Sequence, residues 1–165
     1  RLALEGLADE GLIVRGRRRQ AAEPPPAELP GPVLLQQRGP LPDGLGPNAR
    51  EHRYEQARIN AAWRELWRLK ASNQFAGVPF GRVRVNITAR FCRKTAAVGR
   101  MPGYRPTDTD NLTGSMKPAI DGIVDAGIIP DDRAEYIERP EPWIVEVGTS
   151  AEECILVQIV PLAFL

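Results

Sequence analysis

The stretch from Arg82 to Arg93 alternates between polar and apolar residues, and this pattern limits the fold more than any other part of the chain. Successive side chains of a β-strand point to opposite faces of a sheet, so alternate residues share a face. The apolar face would carry Val83, Val85, Ile87, Ala89 and Phe91. The stretch therefore predicts a half-buried β-strand whose other face is polar and rich in arginine.

Arg50 to Ser72 has the periodicity of an amphipathic helix. At about 100° per residue its apolar side chains fall in one sector and several arginines fall on the opposite side. The apolar sector contains Ile59, Ala62, Trp63, Leu66 and Leu69, with Trp67 at its edge. We expect the apolar sector to face the core. The arginine side either follows phosphates or simply faces water.

Four further segments have the composition of strands: 32–37, 135–139, 143–147 and 154–160. The last is apolar on both faces, which is typical of a strand covered on each side. A second, acidic helix is expected to end at Ala126-Gly127. The pattern predicts an α/β (α+β) fold, a small mixed β-sheet flanked by helices. Residues 1–31, basic and then proline-rich, are interpreted as an N-terminal extension and linker, and 32–165 as the folded domain.

A chain of 165 residues is long enough for one domain with a real core. Its net charge is +1, but a basic middle region precedes an acidic one, which suits a nucleic-acid substrate or, equally, an arginine-rich solvated surface. The two cysteines have no metal-type spacing, so we expect buried reduced thiols and a cytoplasmic location in a bacterial or phage-infected cell. No stretch has the ~20 apolar residues of a membrane span, so no membrane partner is expected.

The acidic region gathers the side chains that a hard cation and a phosphate require. Asp108, Asp110 and Asn111 are followed by Lys117, Asp121, Asp131 and Asp132. Mg²⁺ prefers oxygen ligands, and one or two carboxylates with a substrate phosphate suffice to hold it. In an extended segment Asp108 and Asp110 would project to the same face and share an ion. An Asp-x-Asp pair is also common as turn chemistry, which remains the alternative.

The order of these residues resembles the signature of the RusA family of Holliday-junction resolvases. The matching stretches are Asp108-Thr-Asp110-Asn111-Leu112 and the run from Lys117 through Asp121, Ala126-Gly127 and Asp131-Asp132. The resemblance implies a homodimeric endonuclease of RusA-like fold that cuts four-way DNA junctions with Mg²⁺, for which Mn²⁺ can substitute. Carried over residue by residue, it makes Asp108, Asp110 and Asp132 the metal ligands and Lys117 the catalytic lysine. From their positions in the sequence, Asn111 and Asp131 are expected to support these residues. Asp121 and Asp125, four apart on the helix, either support Lys117 or face water, and we expect Asp125 to face water.

One spacing departs from the family pattern, in which the lysine follows the second aspartate by four residues. Here Lys117 follows Asp110 by seven, so Thr113-Gly114-Ser115 is interpreted as an insertion of about one helical turn. A continuous helix would keep Lys117 on nearly the same face. Alternatively, Pro118 begins a helix and Lys117 faces water in front of it.

Basic residues around the acidic region are the candidates for DNA contact: Arg50, Arg53, Arg64, Arg68, Lys94, Arg100 and Arg105. Two other functions remain open at this point. One is a nuclease with the same metal chemistry but another branched or flapped DNA substrate. The other is a non-catalytic nucleic-acid-binding protein whose acidic residues cap helices and turns.

Overall fold

The computed structural model describes residues 31–46, 53–75, 77, 79–92 and 103–163. This part of the chain contains two helices and five strands. In order they are β1 (Val33–Arg38), α1 (Arg53–Gln74), β2 (Arg82–Cys92), α2 (Thr109–Asp125), β3 (Ile137–Glu138), β4 (Trp143–Val147) and β5 (Cys154–Leu162), with a 3₁₀ turn at Ser150–Glu152 before β5.

The strands form one mixed sheet in the order β1, β5, β2, and β3 and β4 pair one after the other with the remaining edge of β2. β5 is antiparallel to both β1 and β2, whereas β3 and β4 are parallel to β2. The predicted mixed α+β sheet is therefore confirmed. Every predicted strand is present, although the segment expected at 135–139 shortens to the two residues of β3.

A single hydrophobic core joins the helices to one face of the sheet. Its strand residues alternate as predicted, since Val83, Val85, Ala89 and Phe91 on β2 are buried. On β5 the equivalent residues Ile155, Val157 and Ile159 are also buried. The helices contribute Trp63 and Trp67 from α1 and Leu112, Met116, Ile120 and Ile123 from α2.

The second face of β5 is a correction to the sequence prediction. Leu156 and Val160 are only half-buried there, and Gln158 between them is exposed. The helices of the described residues contribute their buried side chains to the opposite face. The apolar segment 154–160 therefore has one face in the core and another face that is only partly covered, rather than two covered faces.

The buried side of α1 also differs from the predicted sector. Trp63, Trp67 and Ala71 are the buried residues, whereas Leu69 is 46% exposed. Residues four apart lie on one helix face, so these three residues define the buried face of α1. This face includes Trp67, which the sequence pattern placed at the edge of the apolar sector. Ile59, Ala62 and Leu66 instead line an apolar cavity of about 930 Å³ between α1 and the loop after β1.

Helices α1 and α2 touch at Gly122, where the backbones come unusually close. A Cβ atom at this position would lie 2.2 Å from the Arg64 carbonyl oxygen and 3.0 Å from the Arg68 nitrogen. Only a residue without a side chain permits this approach. Gly122 therefore fixes the position of α2, and with it the acidic region.

Buried tethers hold the loop before α2 in place. Tyr104 exchanges backbone hydrogen bonds with Leu41, at 2.8 and 3.1 Å. Arg105 pairs with Glu153 through two bonds of 2.6 and 2.8 Å, and the Glu153 side chain is 1% exposed. These contacts fix the position of the loop that leads into Asp108 and α2.

Within the described ranges, no helix is long and apolar enough to cross a membrane. Both cysteines, Cys92 and Cys154, are buried free thiols as predicted. The proposed extension up to residue 30 and the basic positions Arg50, Lys94 and Arg100 lie outside the described residues.

Candidate functional site

A cavity of about 480 Å³ opens beside the first half of α2. One wall is the exposed face of the helix, with Asp110, Thr113 and Lys117. The facing wall is the segment 139–142, which leads from β3 into β4. The cavity thus brings two of the predicted catalytic residues to one solvent-accessible space.

Asp108 is the N-cap of α2. One carboxylate oxygen accepts the Asn111 backbone N–H at 2.7 Å, and the other accepts the Asn111 side-chain amide at 2.6 Å. The residue itself is extended, with φ −131° and ψ 160°. The carboxylate therefore orders the start of the helix, which is one of the roles that the sequence left open. Asn111 thus contacts Asp108 through both its backbone and its side chain.

Asp110 belongs to the first turn of α2, so the prediction of an extended Asp108–Asp110 segment is wrong for this residue. The cap at Asp108 explains the difference, because it starts the helix immediately before Thr109. Asp110 is exposed and borders the cavity. Its negative charge is favoured at this position by the positive end of the helix dipole.

Lys117 lies two turns further along a continuous helix, about 10 Å from Asp110 along the axis and on nearly the same face. The alternative in which Pro118 begins a helix is wrong, because Pro118 is inside α2. The Lys117 ammonium donates hydrogen bonds to Asp121, one turn later, and to Asp132 at 2.6 Å. The predicted support of Lys117 by Asp121 is confirmed.

These contacts set the charge state of the lysine. Burial lowers the pKa of Lys117, but the hydrogen bonds to Asp121 and Asp132 outweigh this effect and raise its pKa above the ordinary value. The Lys117 ammonium in turn lowers the pKa of Asp132. Lys117 is therefore held as a cation at neutral pH, with its head group fixed between two carboxylates.

Asp132 is held from several directions after the loop that follows α2. Arg139 donates to its backbone oxygen at 2.8 Å and lies 3.6 Å from its carboxylate. The neighbouring Asp131 accepts the Asp132 backbone N–H at 2.6 Å and pairs with Arg133 at 3.1 Å. Adjacent carboxylates thus have different partners, and only Asp132 contacts the predicted catalytic lysine.

Sequence reasoning missed two charged residues of the cavity wall, Arg139 and Glu141. Glu141 accepts a hydrogen bond from the Thr109 hydroxyl at 2.9 Å, which places it next to Asp110. The available signal was the sequence Glu138-Arg-Pro-Glu-Pro142, in which prolines flank a charged residue and favour an extended, rigid connection.

Tyr104 is a third residue near the site that the sequence did not indicate. Burial and the nearby Asp108 carboxylate raise the pKa of its hydroxyl, partly offset by a hydrogen bond with Ser115. Ser115 is fully buried and donates to the Asn111 carbonyl at 2.8 Å. Tyr104 therefore packs behind the capped end of α2 and stabilises it.

The described candidates for DNA contact are mostly paired within the protein. Arg64 forms two hydrogen bonds with Asp125, at 2.5 and 2.7 Å, and Arg68 pairs with Glu65 at 2.7 Å. Asp125, expected to face water, is thus a partner of α1. Arg105 is turned inward to Glu153 and is 13% exposed. Arg53 is exposed, with its guanidinium 5.3 Å from the centre of the Tyr54 ring.

The oxygen donors around the cavity match the preference of Mg²⁺. Asp110 and Glu141 supply carboxylates that line the cavity, whereas Asp108 is not among the lining residues and both of its carboxylate oxygens accept hydrogen bonds from Asn111. In the part of the chain that the structure describes, no three acidic, histidine or cysteine side chains form a ready metal-binding group.

Comparison with protein-family models and with the curated proteins found no match for this chain.

Proposed function

We propose that the chain is a metal-dependent endonuclease that cuts branched DNA, with the four-way junction as its principal substrate. The observation that carries the proposal is the arrangement along α2. Asp110 and a fixed Lys117 border one cavity, and Lys117 contacts Asp132 from the loop beyond the helix. The resemblance of this run of residues to the RusA family supports the same function.

Each residue has a role that follows from its chemistry. By resemblance to the RusA family, Asp108, Asp110 and Asp132 would hold Mg²⁺. The ion, when bound, orients the phosphodiester and makes its water more acidic. Lys117, kept protonated by Asp121 and Asp132, stabilises negative charge on the phosphate or on the departing oxygen. Water attacks phosphorus in line with the leaving oxygen, giving 3′-hydroxyl and 5′-phosphate ends.

The substrate calls for two active sites. A four-way junction has near two-fold symmetry, and a symmetric homodimer would place one cavity at each of the paired cuts. Sedimentation of the protein at micromolar concentration is expected to give a dimer. A monomer that still makes paired cuts would contradict this part of the proposal.

The proposal is tested by cleavage of synthetic DNA in Mg²⁺. Four-way junctions, flaps, duplex and single strands are compared with wild-type protein and with Asp110→Asn. We expect paired cuts in the junction, little cutting of the other substrates, and loss of cleavage with retained junction binding in the variant. Asp131→Asn is the matched control, because Asp131 pairs with Arg133 rather than with Lys117. Preferred cutting of flaps would favour another branched substrate.

A non-catalytic nucleic-acid-binding protein is the second candidate. The specific observation in its favour is that Asp108 caps α2, a structural role that needs no metal. Junction binding with no cleavage in either Mg²⁺ or Mn²⁺ would support it.

A further inference from the structure

The sheet face opposite the helices is an ordered array whose rows follow from the strand register. In one row Arg38, Cys154, Arg90 and Val145 are neighbours across four strands. In the next row Gln36, Leu156, Thr88 and Trp143 are neighbours. The following rows place Leu34 beside Gln158 and Asn86, and Val160 beside Arg84 and Glu138. We call this surface the open sheet face.

Contacts confirm that these side chains share one side of the sheet. The Asn86 amide donates to Gln158 at 3.1 Å, and Arg84 donates to Glu138 at 3.0 and 3.2 Å. Large apolar groups on this face are unusually accessible, with Trp143 72% and Leu34 55% exposed. Trp143 and Val145, which is 39% exposed, lie on the same face of β4 and form an accessible apolar patch, which indicates a site of interaction.

The charge of the open sheet face selects the kind of partner. Among the described strand residues on this face, Glu138 is the one carboxylate, and it is paired with Arg84. Arg38 and Arg90 have no acidic partner within the described residues. A second copy of the same face carries the same two unpaired arginines and, among its described strand residues, no unpaired carboxylate, so it does not complement this charge. A polyanion is the complementary partner.

The face also matches the way proteins hold unpaired bases. Proteins that bind single strands combine basic side chains along the backbone with an aromatic platform on which a base stacks. Trp143 is such a platform, beside the Thr88 hydroxyl and one row from the amide of Asn86. A cavity of about 310 Å³ joins Trp143 and these two residues to Pro140 and Glu141. Pro140 and Glu141 also line the candidate active site.

We propose that the open sheet face binds single-stranded DNA, with one base stacked on Trp143 and phosphates near Arg90 and Arg38. The choice of DNA rests on the proposed function of the adjoining cavity. A strand that leaves the cavity past Pro140 would reach Trp143 directly. The face would thus hold an unpaired strand of a branched substrate.

Binding can be measured without cleavage, so the test is separate from that of the proposed nuclease. A fluorescently labelled oligo-thymidine of about 12 nucleotides is titrated in EDTA with full-length wild type and with Asp110→Asn. Both are expected to bind equally. Trp143 reports directly, because the other two tryptophans, Trp63 and Trp67, are buried. We expect its emission to fall as DNA binds.

Variants separate stacking from charge. Trp143→Leu keeps an apolar side chain but removes the aromatic ring, and is expected to weaken binding at least fivefold, since stacking of one base contributes about 1–3 kcal/mol. The double variant Arg38→Gln with Arg90→Gln should lower the slope of log affinity against log salt by about 1.4. Arg58→Gln is the control, because Arg58 is exposed on α1, away from the open sheet face.

Several results would overturn the inference. One is unchanged oligonucleotide affinity in Trp143→Leu. Another is that the protein binds duplex DNA as tightly as the single-stranded oligonucleotide and that its tryptophan emission does not change when the oligonucleotide binds. A third is a free protein whose Trp143 is shielded from acrylamide and whose dimer dissociates in Trp143→Glu, because this face would then be an interface between copies. Loss of junction cleavage alone leaves the inference standing, since binding is measured without it.

Discussion

At the scale of single residues, Glu153 connects three separate segments of the chain. Its side chain accepts the Cys92 backbone N–H at 2.8 Å as well as both bonds from Arg105, and its backbone oxygen accepts from Gly39 at 2.8 Å. The ends of β1 and β2 and the loop before α2 therefore meet at one buried ion pair. A buried pair is not in itself strong evidence for stability, but removing one partner leaves an uncompensated charge.

This ion pair predicts how stability depends on pH. Burial raises the pKa of Glu153, but Arg105 and the Cys92 N–H outweigh it and hold the pKa below the ordinary value of 4.5. A carboxyl whose pKa is lower in the folded state stabilises the fold above about pH 4.5, and this contribution is lost as the pH falls through the folded pKa. The free energy of unfolding, measured with urea, should therefore fall below that pH in wild type and should fall less in Glu153→Gln.

Arg105→Met tests the same pair at neutral pH. We expect a loss of about 3 kcal/mol or more in the free energy of unfolding, because Glu153 stays buried without its partner. The double variant with Glu153→Met should recover part of the loss. Urea unfolding of Arg105→Met equal to wild type would show that the pair does not hold the loop.

Lys117 is expected to act on the rate of cleavage rather than on folding or binding. Lys117→Ala should cleave junctions about 10²–10³ times more slowly in single-turnover assays, the scale of losing one preorganised donor. Lys117→Arg should recover only part of the rate, because a planar guanidinium differs from an ammonium in geometry. A cleavage rate of Lys117→Ala within about twofold of the wild-type rate would show that Lys117 forms only surface ion pairs and takes no part in cleavage.

Asp108 has a structural and a proposed catalytic role, and two substitutions separate them. Asparagine also caps helices, so Asp108→Asn should fold normally but lose cleavage. Asp108→Ala should lose cleavage and also about 1 kcal/mol of unfolding free energy, the typical value of an N-cap. Full cleavage activity of Asp108→Asn would show that Asp108 acts only as the N-cap of α2.

At the scale of elements, Gly122 determines how α1 and α2 fit together. Alanine favours helices by about 1 kcal/mol over glycine, but the new methyl group would collide with the Arg64 carbonyl. Overpacking of this kind costs typically 1–3 kcal/mol, so Gly122→Ala is expected to destabilise the protein. Gly148→Ala is the control, because its methyl group would meet only Glu152 at 3.6 Å. Equal urea midpoints for wild type and Gly122→Ala would contradict the close contact.

The elements were predictable where a local pattern is decisive. The alternation in β2 and the glycine after α2 are signals within one segment, and both predictions are confirmed. The buried side of α1 was not predictable in detail, because Ile59 and Leu66 are as apolar as the residues that reach the core. Which apolar stripe is buried depends on where α2 packs, and that is set by Gly122 through a contact distant in sequence.

The site was predictable in part for the same reason. The contact of Lys117 with Asp121 follows from helical spacing. Its contact with Asp132 was not predicted, because the sequence assigned Asp132 only as a metal ligand. Glu141 and Arg139 come from another segment, whose prolines indicate an extended connection but do not indicate that it packs against α2. The inward turn of Arg105 was also hidden, since an arginine beside an acidic motif has the same appearance whether it contacts phosphate or a buried glutamate.

At the scale of the whole molecule, the two proposed surfaces divide the work on a branched substrate. The cavity along α2 would cut, and the open sheet face would hold an unpaired strand. The two surfaces share Pro140 and Glu141, so a single strand can contact both. The central claim is that the cavity cleaves DNA, and strand binding is secondary to it.

The most direct test of that claim is single-turnover incision of a synthetic four-way junction by wild type and by Asp110→Asn, with and without Mg²⁺. We predict paired incisions by wild type that require Mg²⁺, and no incision by Asp110→Asn at protein concentrations that saturate the junction. Incision by Asp110→Asn at the wild-type rate, or a wild type that binds the junction without cutting it in Mg²⁺ or Mn²⁺, would contradict the account.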